Sequence, residues 1–414
     1  MQKIRTTTFF ILTQIIISCQ SFNELLEEGK KEFEKEYSEQ NYEYAISVLE
    51  KATKKREKNQ EAHYFLGYAY DRHNFTNLNE IDKLKLNYTE KSSEQFEKAI
   101  TISPKYNGEL LSLDPYSKIT SLWGIQALSY FKKNETDSVI WAFEQGKIRG
   151  GFDPLLIEFN KNLLNSCDSN AILFSSGDEI TLGCLYLQNI LNFRKDIVVI
   201  DYGLMHTKWY PKILLQRNLI QYSISETHLD SLPSIVSWQN TQVSIKSEST
   251  SESDLLDYTW NVPPTMDNNF ISRAEYLMLD ILKANKFRRP VYFSTGFDKD
   301  HQLNLQLQDI GLVNLLCLDY CEEFPNKFSN NLREYDYDQV RSSSVIYSSN
   351  LKVLIDIYRY DFLNLISYQI KSGKLDKALS NFLYMELVIP PNEVPFSSKE
   401  MLLFYENVKS HLTL

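Results

Sequence analysis

Serine hydroxyls and carboxylates are concentrated where short apolar runs of this sequence end. Ligands in open α/β sheets bind outside the carboxyl ends of the strands, so side chains that follow buried strands are candidates for a binding site. Here they are Ser175, Ser176, Gly177, Asp178 and Glu179 after a first run, Asp201 after a second, and Ser294 and Thr295 after a third. Hydroxyls and carboxylates around a glycine turn are suited to hold a sugar hydroxyl or a hard cation such as Ca²⁺.

A structural role competes with ligand binding for the same residues. We expect Asp178 or Ser176 to cap the helix that begins near Ile180, because a cap side chain accepts a free backbone N–H at the start of a helix. A hydrolase that uses Asp178 and Asp201 as paired carboxylates is the alternative interpretation. Spacing in the sequence does not fix the separation of that pair, and no third catalytic group is nominated. Capping is the favoured interpretation.

Other catalytic or metal-binding signatures are missing. The sequence contains no GxSxG, HExxH, P-loop or dinucleotide-binding glycine motif. We interpret His206 as a packing or surface residue, and Asp298, Asp300 and His301 as a solvated loop rather than a metal site. No catalytic residue, metal or cofactor is predicted, and the balance favours a protein without enzymatic activity.

The candidate residues need strands and helices that position them. Ala171–Phe174 and Ile197–Ile200 are strand-length apolar runs, and the residues between them have helical spacing. Strand, helix and strand predict one βαβ unit with parallel strands and a right-handed crossover. A helix over about 271–284, a strand at 291–293 and a polar loop from Ser247 to Asp257 complete a small α/β domain, predicted to cover residues 165–345.

Residues 22–150 have the apolar periodicity of packed helices. Three segments resemble tetratricopeptide units at their 34-residue period, with an insertion of roughly 13 residues around positions 74–87. The positions that carry the resemblance are Leu66, Gly67, Tyr70, Ala99, Trp123, Ala127 and Tyr130. The resemblance implies a helical solenoid with a concave surface, between Tyr64 and Tyr130, that binds a protein or peptide segment. Residues 350–414 are predicted to form a further, tetratricopeptide-like helical hairpin, with Gly373, Ala378 and Pro390 at template positions.

The first 19 residues are typical of an export signal. Lys3 and Arg5 precede an apolar run from Phe9 to Ile17, which is too short to span a bilayer. The run ends Ile16-Ile17-Ser18-Cys19, which resembles the bacterial lipobox, and this resemblance implies cleavage before Cys19 and its acylation. An ordinary secretory signal with an incidental Cys19 is the alternative.

Charge and cysteine content limit the partners. A net charge of −10, from 44 basic and 54 acidic residues without a long basic run, argues against nucleic-acid binding. Besides Cys19 there are four cysteines, which permit up to two disulfides in an oxidising compartment but equally suit buried free thiols. They are Cys167, Cys184, Cys317 and Cys321.

The α/β segment also resembles a known family. From Ala171 to Tyr210 it is similar to the soluble C-terminal region of bacterial membrane proteins with a protein O-mannosyltransferase-like domain. The matching residues are Gly177, Asp178, Tyr186, Gln188, Arg194, Asp196, Trp209 and Tyr210, with later pieces at 289–293 and 310–312. Glu179-Ile180 stands where the family has Asn-Asp, and the membrane domain that would contain the transfer chemistry is absent. The resemblance therefore implies the fold and not glycosyl transfer.

Together these patterns predict a lipid-anchored protein of the bacterial cell envelope, facing the periplasm or the cell surface. Its fold class would be a tetratricopeptide solenoid, a small parallel α/β domain and a C-terminal helical hairpin. The expected function is a scaffold that binds another envelope protein through the repeats. The alternative is a carbohydrate-binding accessory or glycan-processing enzyme that uses the α/β domain, and a cytoplasmic repeat protein is a third hypothesis.

Overall fold

A computed structural model describes residues 20–246, 257–318 and 322–412. The predicted signal segment, including Cys19, lies outside these residues, as do Cys321 and all of the predicted polar loop except Asp257. Among the described residues, no helix is both long and apolar enough to cross a membrane.

Seven helices make up the N-terminal part of the described chain. They are α1 (Phe22–Glu34), α2 (Tyr42–Lys55), α3 (Gln60–Asn74), α4 (Leu86–Ile102), α5 (Pro115–Lys132), α6 (Thr136–Ile148) and α7 (Pro154–Ser166). Side-chain caps fix several of their starts: Asn41 and Asn59 cap α2 and α3, and Asp114 precedes Pro115 at the start of α5. From α1 to α6, each helix packs against the next along the chain.

Close packing explains the small residues of this region. A Cβ atom added at Gly67 would lie 2.8 Å from the ring of Phe96, so glycine lets α3 and α4 approach each other. Trp123 and Ala127 on α5 are buried, as is Phe143 on α6. Paired helices with a buried common face are therefore present, as the apolar periodicity predicted.

The chain itself covers part of the helical surface that the repeat interpretation leaves open for a partner. The segment 103–114, between α4 and α5, lies across α3. The Tyr64 hydroxyl donates to Leu113 O at 3.0 Å and accepts from Leu111 N at 3.0 Å, and the ring of Tyr106 packs 4.5 Å from that of Tyr64. Tyr64 is fully buried as a result. A partner cannot reach this face of α3 while the segment is in place.

The middle of the chain contains the strands. They are β1 (Ile172–Ser175), β2 (Val198–Asp201), β3 (Ile235–Ser237), β4 (Thr241–Lys246), β5 (Asp257–Val262), β6 (Phe270–Ser272), β7 (Val291–Ser294), β8 (Leu307–Asp309) and β9 (Val313–Leu316). Between them lie helices α8 (Asp178–Ile190), α9 (Tyr202–Met205), α10 (Tyr210–Gln216), α11 (Glu226–Ser231) and α12 (Arg273–Asn285).

Five of these strands form one mixed sheet in the order β2-β1-β7-β9-β8. β1 is parallel to both β2 and β7, which confirms the predicted parallel strand, helix and strand. The prediction of an entirely parallel sheet is wrong, because β9 is antiparallel to β7 and to β8. Three residues join β8 to β9, with Gly311 at φ +108°, and a parallel crossover needs a dozen or more.

Two smaller antiparallel pairs, β3 with β6 and β4 with β5, were not predicted. Asp257, predicted to end a polar loop, begins β5 instead. In β4 the inward side chains of Val243 and Ile245 are buried and their neighbours are exposed. That alternation is a strand signal that could have been recognised in the sequence.

The C-terminal part is helical. It comprises α13 (Asn326–Glu334), α14 (Ser343–Tyr347), α15 (Ser349–Lys371), α16 (Leu375–Val388) and α17 (Lys399–Ser410). α15 and α16 pack against each other as the predicted hairpin, with Gly373 at φ +71° in the turn between them, and α17 packs on α15 as an additional helix. The apolar core runs without interruption from Phe22 to Leu412, so the helical and α/β parts share it.

Candidate functional site

A small pocket lies at the carboxyl ends of β1 and β2. Its volume is about 190 Å³, and we call it the sheet-end pocket. The α/β part lines it with Ser176, Gly177, Asp178, Thr181, Leu182, Asp201, Tyr202, Gly203 and Leu204, and the helical part with Leu78, Ile125 and Leu128. Four of the eight candidate residues predicted from sequence therefore converge, whereas Ser175, Glu179, Ser294 and Thr295 lie outside the lining, and the N-terminal helical part forms one wall. The volume is below the roughly 300–1,000 Å³ of typical ligand pockets.

Asp178 does not cap the helix that follows β1. α8 begins at Asp178 itself, its N-cap is Gly177, and no side chain satisfies the first backbone N–H groups. The predicted capping role of Asp178 or Ser176 is therefore wrong. The exposed Asp178 carboxylate instead accepts a hydrogen bond from the Ser121 hydroxyl of α5 at 2.7 Å. This contact joins the α/β part to the helical part.

Asp201, at the end of β2, caps a different helix. Its Oδ1 accepts from Leu204 N at 2.7 Å at the start of α9, and its Oδ2 accepts from the Thr181 hydroxyl at 2.7 Å. Thr181 also contacts Ser175, which is fully buried and lies outside the pocket lining. Burial raises the pKa of the Asp201 carboxyl, and the hydrogen bonds from Thr181 and Leu204 oppose that shift.

Glu179 points away from the pocket into the contact between α5 and α8. Its Oε1 accepts from the Ser117 hydroxyl at 2.6 Å, and its backbone carbonyl accepts from the buried Asn160 side chain of α7. Burial raises the pKa of the Glu179 carboxyl to about 7, and the nearby Asp114 and Asp178 carboxylates add to the shift. Each of the three candidate carboxylates thus has a hydrogen-bonding partner within the protein.

Replacing Glu179 with glutamine is expected to flatten the dependence of stability on pH. A folded-state pKa near 7 exceeds the unfolded value of about 4.3, so the stability that this group contributes is present below pH 4.3 and is lost as the pH rises through 7. The E179Q protein should exceed wild type in free energy of unfolding at pH 8 by on the order of 1–3 kcal/mol. Urea unfolding at pH 5 and pH 8 measures this, with E90Q as an exposed control. An unchanged pH dependence would contradict the expectation.

Gly177 is required by its backbone conformation. Its φ of +91° and ψ of 142° lie in a region that is almost restricted to glycine. An added Cβ would have no atom within 4 Å, so a substitution would strain the backbone without a clash. We expect G177A to lower the free energy of unfolding by about 1–3 kcal/mol. Chemical denaturation against S176A as control tests this, and a loss below about 0.5 kcal/mol would show that the turn relaxes.

A carboxylate and histidine pair beside the sheet-end pocket was not predicted. Glu275 is fully buried, and its Oε1 lies 3.0 Å from Nδ1 of His301. The His301 ring stacks on Tyr202, a pocket residue, with centroids 4.9 Å apart. The capping box of α12, in which Glu275 accepts from Ser272 N, is a sequence signature that could have located Glu275. Glu275 and His301 are 26 residues apart, so no pattern within a few residues could have predicted their contact.

His206 and three cysteines lie outside this pair. Burial lowers the pKa of His206, whose ring packs edge-on against Tyr202. Cys167 and Cys184 are free and buried, and burial raises the pKa of the Cys167 thiol to about 12. Cys317 is disulfide-bonded. Within the described ranges, no group of three or more His, Cys, Asp or Glu side chains is placed to hold a metal ion.

The residues assigned to repeat packing are mostly buried. Leu66, Tyr70, Ala99, Trp123 and Ala127 are at most 5% exposed, and Tyr130 is partly buried. All six lie in the packed interior of the helical part or at its margin.

Part of the chain matches a known family. A family model described as TMEM260-associated domain 2 matches residues 156–228, and that family is linked to O-mannosyltransferase-like proteins. The match covers less than half of the chain and includes β1, α8, β2 and the short helices that follow. It confirms the link to O-mannosyltransferase-like proteins that was inferred over Ala171–Tyr210. No curated protein has a matching sequence.

Proposed function

We propose that this chain is a non-enzymatic, lipid-anchored interaction protein of the bacterial cell envelope that binds a partner through tetratricopeptide-like helices. One observation carries the proposal: an open groove of about 640 Å³ between α2, α3 and α4. We call it the lysine groove. Its lining combines apolar and charged side chains: Glu50, Thr53, Lys54, Glu57, Lys58, His63, Leu66, Tyr70, Gln95, Lys98, Thr101 and Ile102.

The helix pairing supports the repeat part of the proposal. In the 34-residue template the small residue of the first helix packs on the second helix. Gly67 on α3 packs in this way against Phe96 on α4. Gly146 on α6 stands similarly close to Trp123 on α5. Both contacts occur between the two helices of one inferred unit.

The lysine groove is available because it lies on the opposite side of α3 from the segment 103–114. The hydroxyls of Tyr64 and Tyr68 both donate to Leu113 O in that segment. Leu66 and Tyr70 lie two residues further along, which corresponds to about 200° around the helix. The covered face and the groove therefore do not overlap. A partner can bind in the groove without displacing the segment.

The groove favours a partner segment with acidic and apolar side chains. Lys54 and Lys58 are exposed and have no hydrogen bond or ion pair among the described residues, whereas Lys98 pairs with Glu94. Glu50 is already an acceptor for the Tyr70 hydroxyl. Two free ammonium groups beside apolar surface match an amphipathic acidic peptide.

The decisive experiment is a comparison of variants in co-purification from native membranes. The double variant K54E/K58E should lose a partner that wild type retains, while K377E/K399E, which reverses two exposed charges elsewhere, should retain it. D178A should also retain it, because Asp178 lies in the sheet-end pocket. Retention of every partner by K54E/K58E would exclude the lysine groove as the binding surface.

The anchor is tested separately. Mass spectrometry of the membrane-extracted protein should find an N-terminal Cys19 that carries a diacyl or triacyl group. The disulfide at Cys317 supports an oxidising compartment such as the periplasm or cell surface. A mature chain that retains residues 1–18 would contradict the lipobox interpretation.

A carbohydrate-binding function is the second candidate. The observation that favours it is the lining of the sheet-end pocket, which includes Asp178, Asp201 and Tyr202. Carboxylates beside an aromatic ring provide hydrogen-bond acceptors and an apolar face for a sugar. Glycan-array binding by wild type that disappears in D178A, with unfolding behaviour unchanged, would favour this function over the scaffold.

A further inference from the structure

A second cavity lies beyond β2, the edge strand of the five-stranded sheet, and we call it the edge cavity. Its volume is about 380 Å³, twice that of the sheet-end pocket and within the usual range for ligand sites. It is enclosed by α5 and α6 on one side and by α8, β2 and α10 on the other. Its lining includes Leu128, Val139, Phe143, Val199, Tyr210 and Leu214.

The lining of the edge cavity is mostly apolar, with Gln188 and Asn189 as its uncharged polar members, and Tyr210 covers part of the edge of β2. Among its lining residues, Phe143 is 1% and Leu214 is 2% exposed. The Tyr210 hydroxyl accepts from Asp201 N at 3.3 Å and donates to Val199 O at 3.4 Å. These bonds satisfy edge groups of β2, so the cavity is suited to an alkyl chain and not to an added strand.

The rim of the edge cavity is positive. Lys195 and Arg217 are the charged residues of its lining, and both are exposed. Lys195 has no hydrogen bond or ion pair with any described residue. Its neighbour Asp196 is held by Arg194 through two hydrogen bonds, of 3.0 and 3.1 Å. The Arg217 guanidinium stacks 4.0 Å from the ring of Phe131, and its Nη2 donates to the backbone O of that residue.

We propose that the edge cavity binds a single-chain anionic amphiphile. The alkyl chain occupies the apolar space between α6 and α10, and a carboxylate or phosphate head lies against Lys195 and Arg217. Two cations without a carboxylate in the lining select an anionic head, and the buried walls exclude a fully polar ligand. This inference uses neither the lysine groove nor the sheet-end pocket, so it stands or fails independently of the proposed function.

Calorimetric titration of the purified protein tests the proposal with three twelve-carbon probes below their micellar concentrations. Dodecanoate and dodecyl phosphate present anionic heads, and dodecyl maltoside presents an uncharged one. We expect saturable one-to-one binding of at least one anionic probe and at least tenfold weaker binding of the maltoside. Whichever head binds more tightly identifies a fatty acid or a lipid phosphate as the source. Equal binding of all three probes, or no binding of either anionic probe, would overturn the proposal.

Variants separate the two parts of the site. K195Q removes an exposed charge and should weaken the anionic probe about threefold to fivefold, whereas K208Q, at an exposed lysine outside the lining, should not. L214W fills the cavity and should weaken every probe by more than about tenfold. V139F provides a second filling variant in case L214W fails to fold. If K195Q and a folded filling variant each bind the probes as tightly as wild type, this cavity is not the binding site.

Discussion

Replacing Trp123 with alanine is expected to lower the free energy of unfolding by about 3–5 kcal/mol, the range for truncating a buried tryptophan. Trp123 is fully buried where α4, α5 and α6 meet. Its indole N–H donates to the Ser93 hydroxyl of α4 at 3.0 Å, and its ring packs edge-on against Trp141 of α6 at 5.8 Å. The Arg149 guanidinium lies 5.3 Å from the same ring. Alanine removes all of these contacts and leaves a cavity.

Urea unfolding followed by circular dichroism measures the loss. W123F keeps an aromatic ring and loses the N–H donor, so it should lower the free energy of unfolding less than W123A does. The difference between the two variants measures the contribution of the ring. S93A removes the acceptor of the indole N–H together with the bond from Ser93 to Glu97, and should cost about 1 kcal/mol. A loss below about 1 kcal/mol for W123A would mean that the three helices do not depend on this junction.

Replacing Asp114 with alanine is expected to cost about 3–4 kcal/mol, because one buried carboxylate holds two helices. Its Oδ1 accepts from Tyr116 N at 3.0 Å and Ser117 N at 3.1 Å, which caps α5. Its Oδ2 accepts from the Ser348 hydroxyl at 2.6 Å and from Asn350 N at 3.1 Å at the start of α15. Alanine removes the acceptor of all four donors. Because Asp114 and Ser348 are 234 residues apart in the chain, the loss affects the starts of two distant helices.

A double-mutant cycle separates the two roles of Asp114. D114N keeps one acceptor oxygen and should retain part of the stability. S348A removes both the bond to Asp114 and the cap on Leu351 N, so alone it should cost about 1–2 kcal/mol. In the D114A background it should cost less, because only the cap on Leu351 N remains to be lost. Additive effects would show that the contact between α5 and α15 does not contribute to stability.

The strands and helices of the α/β part were predicted in part: three of the nine strands, β1, β2 and β7, and two of the five helices, α8 and α12, were expected from the sequence. The runs 171–174 and 197–200 became β1 and β2 with a shift of one residue, and the helix predicted at 271–284 is α12. Burial of apolar runs and helical spacing are local properties, so they can be recognised without the partners. The antiparallel return of β9 was not predicted, because strand direction depends on how the chain reverses after Ser294.

The candidate site was predicted in part. Ser176, Gly177, Asp178 and Asp201 line one pocket, because the carboxyl ends of neighbouring parallel strands meet at one edge. The capping role was wrong for a reason that lies outside the α/β part. Ser121, 57 residues earlier on α5, supplies the hydrogen bond to Asp178, so the side chain turns away from its own helix.

The sequence pattern was sufficient to place serines, carboxylates and a glycine turn at the ends of β1 and β2, with a helix between the two strands. These depend on spacing within a few residues. The hydrogen bonds of those carboxylates depend on contacts between elements that are far apart in the chain. Asp178 and Glu179 bind hydroxyls of α5, the segment 103–114 covers α3, and Glu275 meets His301. A buried polar group must form a hydrogen bond, and the packing of distant elements determines which partner lies close enough to form it.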